Sequence, residues 1–285
     1  MRRVTREAIP RATIRSLLGA VLLGLSVVAG TPIANATHPE PVLEPGGTPT
    51  RLEEAGRGRD TFHIQFSGKL RVPTGTDVVE IDGEDTRARR VTKLHARGIE
   101  VVCYVSAGTF ENYRRDAAKF PARVIGEQLP DWPDERWLDI RKRGVLRPIM
   151  TRRARACARK GFDGIEFDNV DGYANNTGFP LRRADQIKYD KMLARIARKN
   201  ALSPGLKNAV GLVKDLEPAF DWALNEECVT YRECGRYRPF VRSGKAVIVI
   251  EYGGVSQKRL CRVTGRLGLS GQMKRLSLSA WSRPC

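Results

Sequence analysis

Eight short apolar or alternating stretches recur along this chain, and their spacing limits the folds open to it more than any other feature. They are Phe62 to Phe66, Val78 to Asp82, Glu100 to Val105, Gly164 to Asp168, Gly205 to Asn208, Asp221 to Asn225, Ala246 to Glu251 and Arg275 to Ala280. Helical patterns fall between several of them. Thr86 to Arg97 is one; Ala184 to Arg198 is another, with Ile187, Leu193 and Ile196 on a common face and Arg or Lys opposite. Strand alternating with helix through about 250 residues predicts α/β class, a single (β/α)8 TIM barrel over residues 61–285. A doubly wound nucleotide-binding sheet is the weaker competitor, because no glycine-rich phosphate fingerprint follows the first strand.

A barrel of this kind builds its active site at the C-terminal ends of its strands. Those ends are polar here. Gln65 follows the first stretch, Asp82 the second, Tyr104 and Ser106 the third, Asp168 and Asn169 the fourth, Lys207 and Asn208 the fifth, Asn225 and Glu226 the sixth, Glu251 and Tyr252 the seventh. The fourth stretch stands out. Gly161 to Tyr173 (GFDGIEFDNVDGY) holds four carboxylates and no Lys or Arg, in a chain with 50 Lys+Arg against 32 Asp+Glu. Its alternation places Glu166 and Asp168 on one face of a strand. Two carboxylates sharing a small space cannot both ionise without cost, so at least one pKa rises, the condition for a carboxylic acid that donates a proton near neutrality. The blander reading is an Asp-rich turn in which Asp163 and Asp171 bond backbone amides.

Residues 1–36 read as a signal peptide. Arg2, Arg3, Arg6, Arg11 and Arg15 form a basic leader, Leu17 to Val28 an apolar core, and Ala34-Asn35-Ala36 a small-x-small cleavage site. The apolar core is short for a membrane span, so no stable membrane anchor is expected. Residues 37–60 are expected to be a flexible lead-in. Export fits the cysteines: Cys103, Cys157, Cys228, Cys234, Cys261 and Cys285 all lie beyond the leader, an even number. Cys228 with Cys234, Cys261 with Cys285 and Cys103 with Cys157 is one of 15 possible connectivities. No CxxC pair occurs, the histidines His38, His63 and His95 are scattered, and no metal or cofactor is expected.

The net charge is +18, and removal of the leader, which carries +4, leaves +14. Such an excess predicts nonspecific adhesion to anionic surfaces such as cell walls. It does not by itself predict specific nucleic-acid recognition, and no recognition motif is present.

Several ordered stretches resemble a known family: CYVSAGTFENYRRD from Cys103, RWLDI from Arg136, VLRPIM from Val145, KGFDGIEFDNVDGYANNTGF from Lys160, GLKN from Gly205, DWALNEEC from Asp221 and GKAV from Gly244. They are similar to the secreted endo-alpha-1,4-polygalactosaminidases, glycoside hydrolases with a (β/α)8 barrel, over about Phe62 to Cys285. Two departures are visible. Phe167 stands where the family motif has Pro, and FHIQFSG replaces a Trp-containing first strand.

The resemblance implies that Asp168 and Glu226 are the catalytic pair, and analogy with other barrel glycosidases acting on alpha linkages makes Asp168 the nucleophile and Glu226 the general acid/base. A polysaccharide built on galactosamine then needs partners for its ammonium groups, hydroxyls and ring faces. Glu166, Asp171, Glu251 and Asp139 are candidates for the first, Lys207, Asn208, Asn169 and Asn225 for hydroxyls, and Tyr104, Tyr173, Trp137 and Tyr252 for stacking; Trp222 reads as packing. A polycationic substrate is at odds with the basic exterior, so either the cleft itself is acidic or the substrate is N-acetylated or anionic. A secreted barrel that binds carbohydrate or cell wall without cleaving it is the alternative.

Overall fold

Runs such as Val247–Glu251, VIVIE, are buried at every position, the pattern of a strand covered on both faces. In the computed structural model, which describes residues 61–285, such runs form β1 (Phe62–Ile64), β2 (Val78–Asp82), β3 (Glu100–Ser106), β7 (Gly164–Asp168), β8 (Ser203–Lys207), β9 (Trp222–Glu226), β10 (Val247–Glu251) and β11 (Ser270–Lys274). They pair in parallel in that order. A short β12 (Ser282–Pro284) runs antiparallel on the outer edge of β11. Six helices lie between the strands: α1 (Ala88–His95), α2 (Arg143–Lys160), α3 (Arg183–Arg198), α4 (Val213–Leu216), α5 (Arg238–Arg242) and α6 (Gln257–Leu267). The result is a (β/α)8 barrel. The expected signal peptide and lead-in lie outside the described residues.

Alternation along the strands separates two apolar layers. Val79, Ile81, Val101, Cys103, Ile165 and Phe167 face outward and pack with Val91 and Leu94 of α1 and Leu146, Ile149 and Met150 of α2. Phe62, Ile64, Val78, Val102, Trp222, Leu224, Ile248 and Ile250 fill the barrel interior. Gly161, with φ of 87°, ends α2 in the left-handed conformation and turns the chain into β7. The three disulfides are Cys103–Cys157, joining β3 to α2, Cys228–Cys234, closing the loop after β9, and Cys261–Cys285, tying the last residue to α6. All three match the expected pairing, and they fit an oxidising compartment.

The structure corrects four readings of the sequence. The eighth strand is Ser270–Lys274 rather than Arg275 to Ala280. The apolar alternation of the latter belongs to a turn in which Leu276 is exposed and Leu278 has a φ of 45°. The first strand stops at Ile64, and Gln65 instead knits the following loop, bonding Ser67 O, Lys69 O and Arg71 N. Among the described residues no helix follows β1 or β11. Between β3 and α2 the chain inserts a three-stranded antiparallel sheet, β4 (Thr109–Glu111), β5 (Ile125–Leu129) and β6 (Trp132–Leu138), ordered β4-β6-β5. The edge between β11 and β1 is bridged by Gln272 Nε2 donating to Phe62 O at 2.8 Å and by Phe66 N donating to Leu278 O at 2.9 Å.

Gly205 supports the interior from the side of β8. A Cβ there would lie 2.2 Å from Cζ2 of Trp222, a fully buried ring with nowhere to go. Gly205→Ala is expected to lower stability by about 1–3 kcal/mol, the usual cost of overpacking a core, read as a lower midpoint in chemical denaturation.

Candidate active site

The apolar interior fills only part of the barrel. On β2, β7 and β8 the inward positions near the mouth are Glu80, Glu166, Asp168 and Lys207, and all but Asp168 are buried. Lys207 is the hub. Its Nζ lies 3.3 Å from Glu166 Oε1, 3.2 Å from Asp168 Oδ1 and 3.3 Å from Glu226 Oε2. Burial alone would discharge this ammonium, but Asp168, Glu166 and Glu226 hold it charged, with a pKa well above the ordinary lysine value.

Each of the two outer carboxylates has its own fixed donors. Asp168, the last residue of β7, accepts from Tyr104 Oη at 2.9 Å on Oδ2 and from the backbone of Asn169 at 2.7 Å on Oδ1. Glu226, the last residue of β9, accepts from Asn208 Nδ2 at 3.2 Å on Oε2 and from Tyr252 Oη on Oε1. Asn208 also takes the Glu226 amide at 2.8 Å on its Oδ1, so one side chain fixes both ends of that residue. Asn169 and Asn208 have φ of 61° and 45°, the left-handed region that Asn tolerates better than most residues, and each sits just past a strand end where the backbone must turn sharply. Asp168 and Glu226 retain 17% and 25% side-chain exposure, so both reach solvent at the mouth.

Beneath them lies a second carboxylate pair. Burial, and next the charge of Glu166, push Glu80 well above the ordinary carboxylate range, which favours its neutral form. Burial raises Glu166 to about 7 against the opposing pull of Lys207. Around the rim, burial and the charge of Asp168 raise Asp171 to about 6. Burial likewise raises Glu135 to about 7, although Thr109 Oγ1 donates to it at 2.7 Å. Glu135 comes from the inserted sheet, and Asn169 Nδ2 links it through Thr109 and Ser106 to the end of β7.

The structure thus brings together Asp168, Glu226, Glu166, Lys207, Asn208, Tyr104, Tyr252, Asn169 and Asp171 of the residues singled out from sequence. Others do different work. Asp139 is buried and gripped by the Arg141 guanidinium at 2.7 and 2.9 Å. Glu251 is buried and holds the loop after β9, accepting from Val229 N at 2.8 Å and Thr230 Oγ1 at 2.7 Å. Asn225 is buried and accepts from Cys228 N while donating to Asn208 and to Tyr237 Oη. Tyr173 has its hydroxyl against Gly211, Trp137 packs on Gly172, and Trp222 is core, as expected for that residue. Glu166 is fully buried and meets Lys207 rather than the open cleft.

Glu80 and Glu135 were not singled out from the sequence. A readable signal existed for Glu80, a carboxylate in the middle of the apolar strand VVEID, on the same parity as Asp82. Glu135 gave none, because its placement depends on how the inserted sheet folds back.

Comparisons with known proteins agree with this fold. The crystal structure of Aspergillus fumigatus Ega3 in complex with galactosamine superimposes with a TM-score of 0.77 at 32% identity, covering 84% of this chain and 99% of that one. The glycoside hydrolase domain of PelA from Pseudomonas aeruginosa shares the fold, with a TM-score of 0.62 at 16% identity over 78% of this chain and 97% of that one. An uncharacterized protein of Deinococcus radiodurans is 29% identical over 207 residues, 62% of this chain, and the match spans 63% of that relative's length. The model of glycoside-hydrolase family GH114 matches residues 46–285, and the chain belongs to that family.

Proposed function

We propose that this chain is a secreted hydrolase of alpha-1,4-linked galactosamine-type polysaccharide, with Asp168 as nucleophile and Glu226 as general acid/base. The observation that carries the reading is the shared contact with Lys207. Asp168 Oδ1 at 3.2 Å and Glu226 Oε2 at 3.3 Å from one nitrogen can be no more than 6.5 Å apart. That bound favours double displacement, for which carboxyl groups stand about 5 to 5.5 Å apart, over inversion, which needs about 6.5 to 9.5 Å to admit a water.

In the first step Asp168 attacks the anomeric carbon while Glu226, protonated, gives its proton to the departing glycosidic oxygen. In the second, Glu226 takes a proton from water, and that water releases the sugar from Asp168. Tyr104, Asn169 and Lys207 hold the nucleophile aimed. The greater exposure of Glu226 suits a group that exchanges protons with solvent. Asp171 and Glu135, partnering substrate ammonium groups, offset the long-range repulsion of a chain that keeps +14 once the leader's +4 is taken from +18, a repulsion that salt screens beyond about 8 Å. The galactosamine held by Ega3, a protein 32% identical to this one, supports the sugar class. Export rests on the leader read from the sequence and agrees with three disulfides.

Incubation of the purified protein with galactosamine polymers, free and N-acetylated, should release new reducing ends. Asp168→Asn and Glu226→Gln should each lower that rate by roughly 10³-fold, the usual scale for removing a catalytic acid or nucleophile, while circular dichroism shows the fold retained. Full activity in either variant would remove that residue from the chemistry.

The interior carboxylates set a pH dependence. Below about pH 7 Glu166 is neutral and the charge of Lys207 serves Asp168 and Glu226; above it Glu166 ionises and competes for the same ammonium. The kcat/KM profile should therefore fall through an ionisation near 7 that Glu166→Gln removes. Because the folded state binds this proton more tightly than the unfolded one, the contribution of Glu166 to stability is lost as pH rises from 4.5 to about 7. The melting temperature should decline over that interval, and less steeply in Glu166→Gln.

A further inference from the structure

The inserted sheet carries a second feature besides Glu135. β4 and β6 pair in the register Thr109↔Trp137, Phe110↔Arg136 and Glu111↔Glu135. Thr109 and Glu111 therefore fall on the same face as Glu135, and Tyr113, in the turn Glu111–Arg114 that follows β4, is drawn to that face by the bond from its hydroxyl to Glu111 Oε1. The near end of this face joins the catalytic centre, since Asn169, the residue after Asp168, donates to Thr109 Oγ1 at 3.2 Å. The far end carries Tyr113, 59% exposed.

A lone exposed tyrosine is ordinary. This one is tethered. Its hydroxyl donates to Glu111 Oε1 at 2.8 Å, and Glu111 is buried and held by Arg114 at 2.7 Å. The Arg114 guanidinium carbon lies 5.2 Å from the ring centroid. Hydroxyl and guanidinium together fix the ring, and the remainder of its surface faces solvent. A flat apolar surface already immobilised costs little further entropy when a ligand stacks on it.

We propose that Tyr113 is a stacking platform for a hexosamine ring at a subsite away from the cleavage point, occupied only by longer chains. The inference rests on the galactosamine-polymer reading above and extends it. Thr109 to Glu111 is two steps of strand, about 7 Å at roughly 3.3 Å per residue, and the turn after it carries Tyr113 further from Asn169, so a sugar lying between Asp168 and Glu226 does not reach the ring but a neighbour along the polymer does. Pyranose rings present an apolar face of C–H groups that suits an aromatic surface, while Glu135, across from Glu111 in the register, complements an ammonium substituent. Trp132, the other exposed aromatic of the insert, lies three residues before Glu135 on β6, and by alternation faces the opposite way.

The test is calorimetric titration of the Asp168→Asn protein with galactosamine oligomers of graded length, with and without further substitution. The expected result is that affinity rises with length, that Tyr113→Ala removes the gain for long oligomers, a loss of roughly tenfold, and leaves the shortest ligand unchanged. Tyr113→Phe, which keeps the ring and drops the tether, should lose less, and Trp132→Ala should lose nothing. An equal loss at every length in Tyr113→Ala, no loss at all, an equal loss in Trp132→Ala, or no binding of any oligomer would overturn the proposal. Hydrolysis by the unsubstituted enzyme is scored separately: cleavage without a length effect sinks the platform alone, and a length effect without cleavage sinks the catalytic reading alone.

Discussion

The ammonium of Lys207 sits buried among Glu166, Asp168 and Glu226, and the geometry of the mouth depends on that one charge. Three carboxylates drawn from β7 and β9 could not converge inside a barrel without a counter-ion. Removing one partner of a buried pair typically costs about 3–5 kcal/mol, because the charge left behind has no solvent. A single cation nevertheless cannot balance four acids. The interior meets this by raising the pKa of both Glu80 and Glu166 through burial, which favours their neutral forms and leaves Asp168 and Glu226 as the two that Lys207 chiefly serves. Under the proposed mechanism Lys207 thereby couples folding to chemistry, since the contact that makes the interior tolerable also limits the separation of the outer pair.

That economy explains the division of the barrel. β1, β9 and β10 give the interior Phe62, Ile64, Trp222, Leu224, Ile248 and Ile250, a packed apolar half. β2, β7 and β8 give Glu80, Glu166 and Lys207, a charged half that opens on the mouth. The inserted sheet lies on the charged side and continues the acidity outward through Glu135 and Glu111. A strongly basic chain can in this way gather acid at its barrel mouth, because Asp82, Asp168, Glu226 and Glu251 close β2, β7, β9 and β10 against Lys207 and Lys274 at the ends of β8 and β11.

Much of this was legible in the sequence. Parallel strands covered on both faces leave short apolar runs closed by polar residues, which is why β2, β3, β7, β9 and β10 were recognisable to within a residue or two, and why Asp168 and Glu226 could be named from strand ends and family resemblance. Legibility failed where local pattern and tertiary role part company. Ser270–Lys274 has little apolar character, because Gln272 and Lys274 are buried at the barrel's seam and bond to backbone, whereas the more strand-like Arg275 to Ala280 is a turn. Asp139 and Glu251 look like substrate ligands in one dimension, yet their carboxylates are taken up by Arg141 and by Val229 with Thr230. The contacts of Glu135 are set by strand register in the insert, a long-range property that no local spacing records.

The stereochemistry of the first-formed product tests the central claim most directly. A pair held within 6.5 Å by one lysine should work by double displacement. Proton NMR of a galactosamine oligomer during the first turnovers should show the alpha anomer appearing first, with the beta anomer growing only by mutarotation. Initial release of the beta anomer would mean a single displacement by water and would contradict the account.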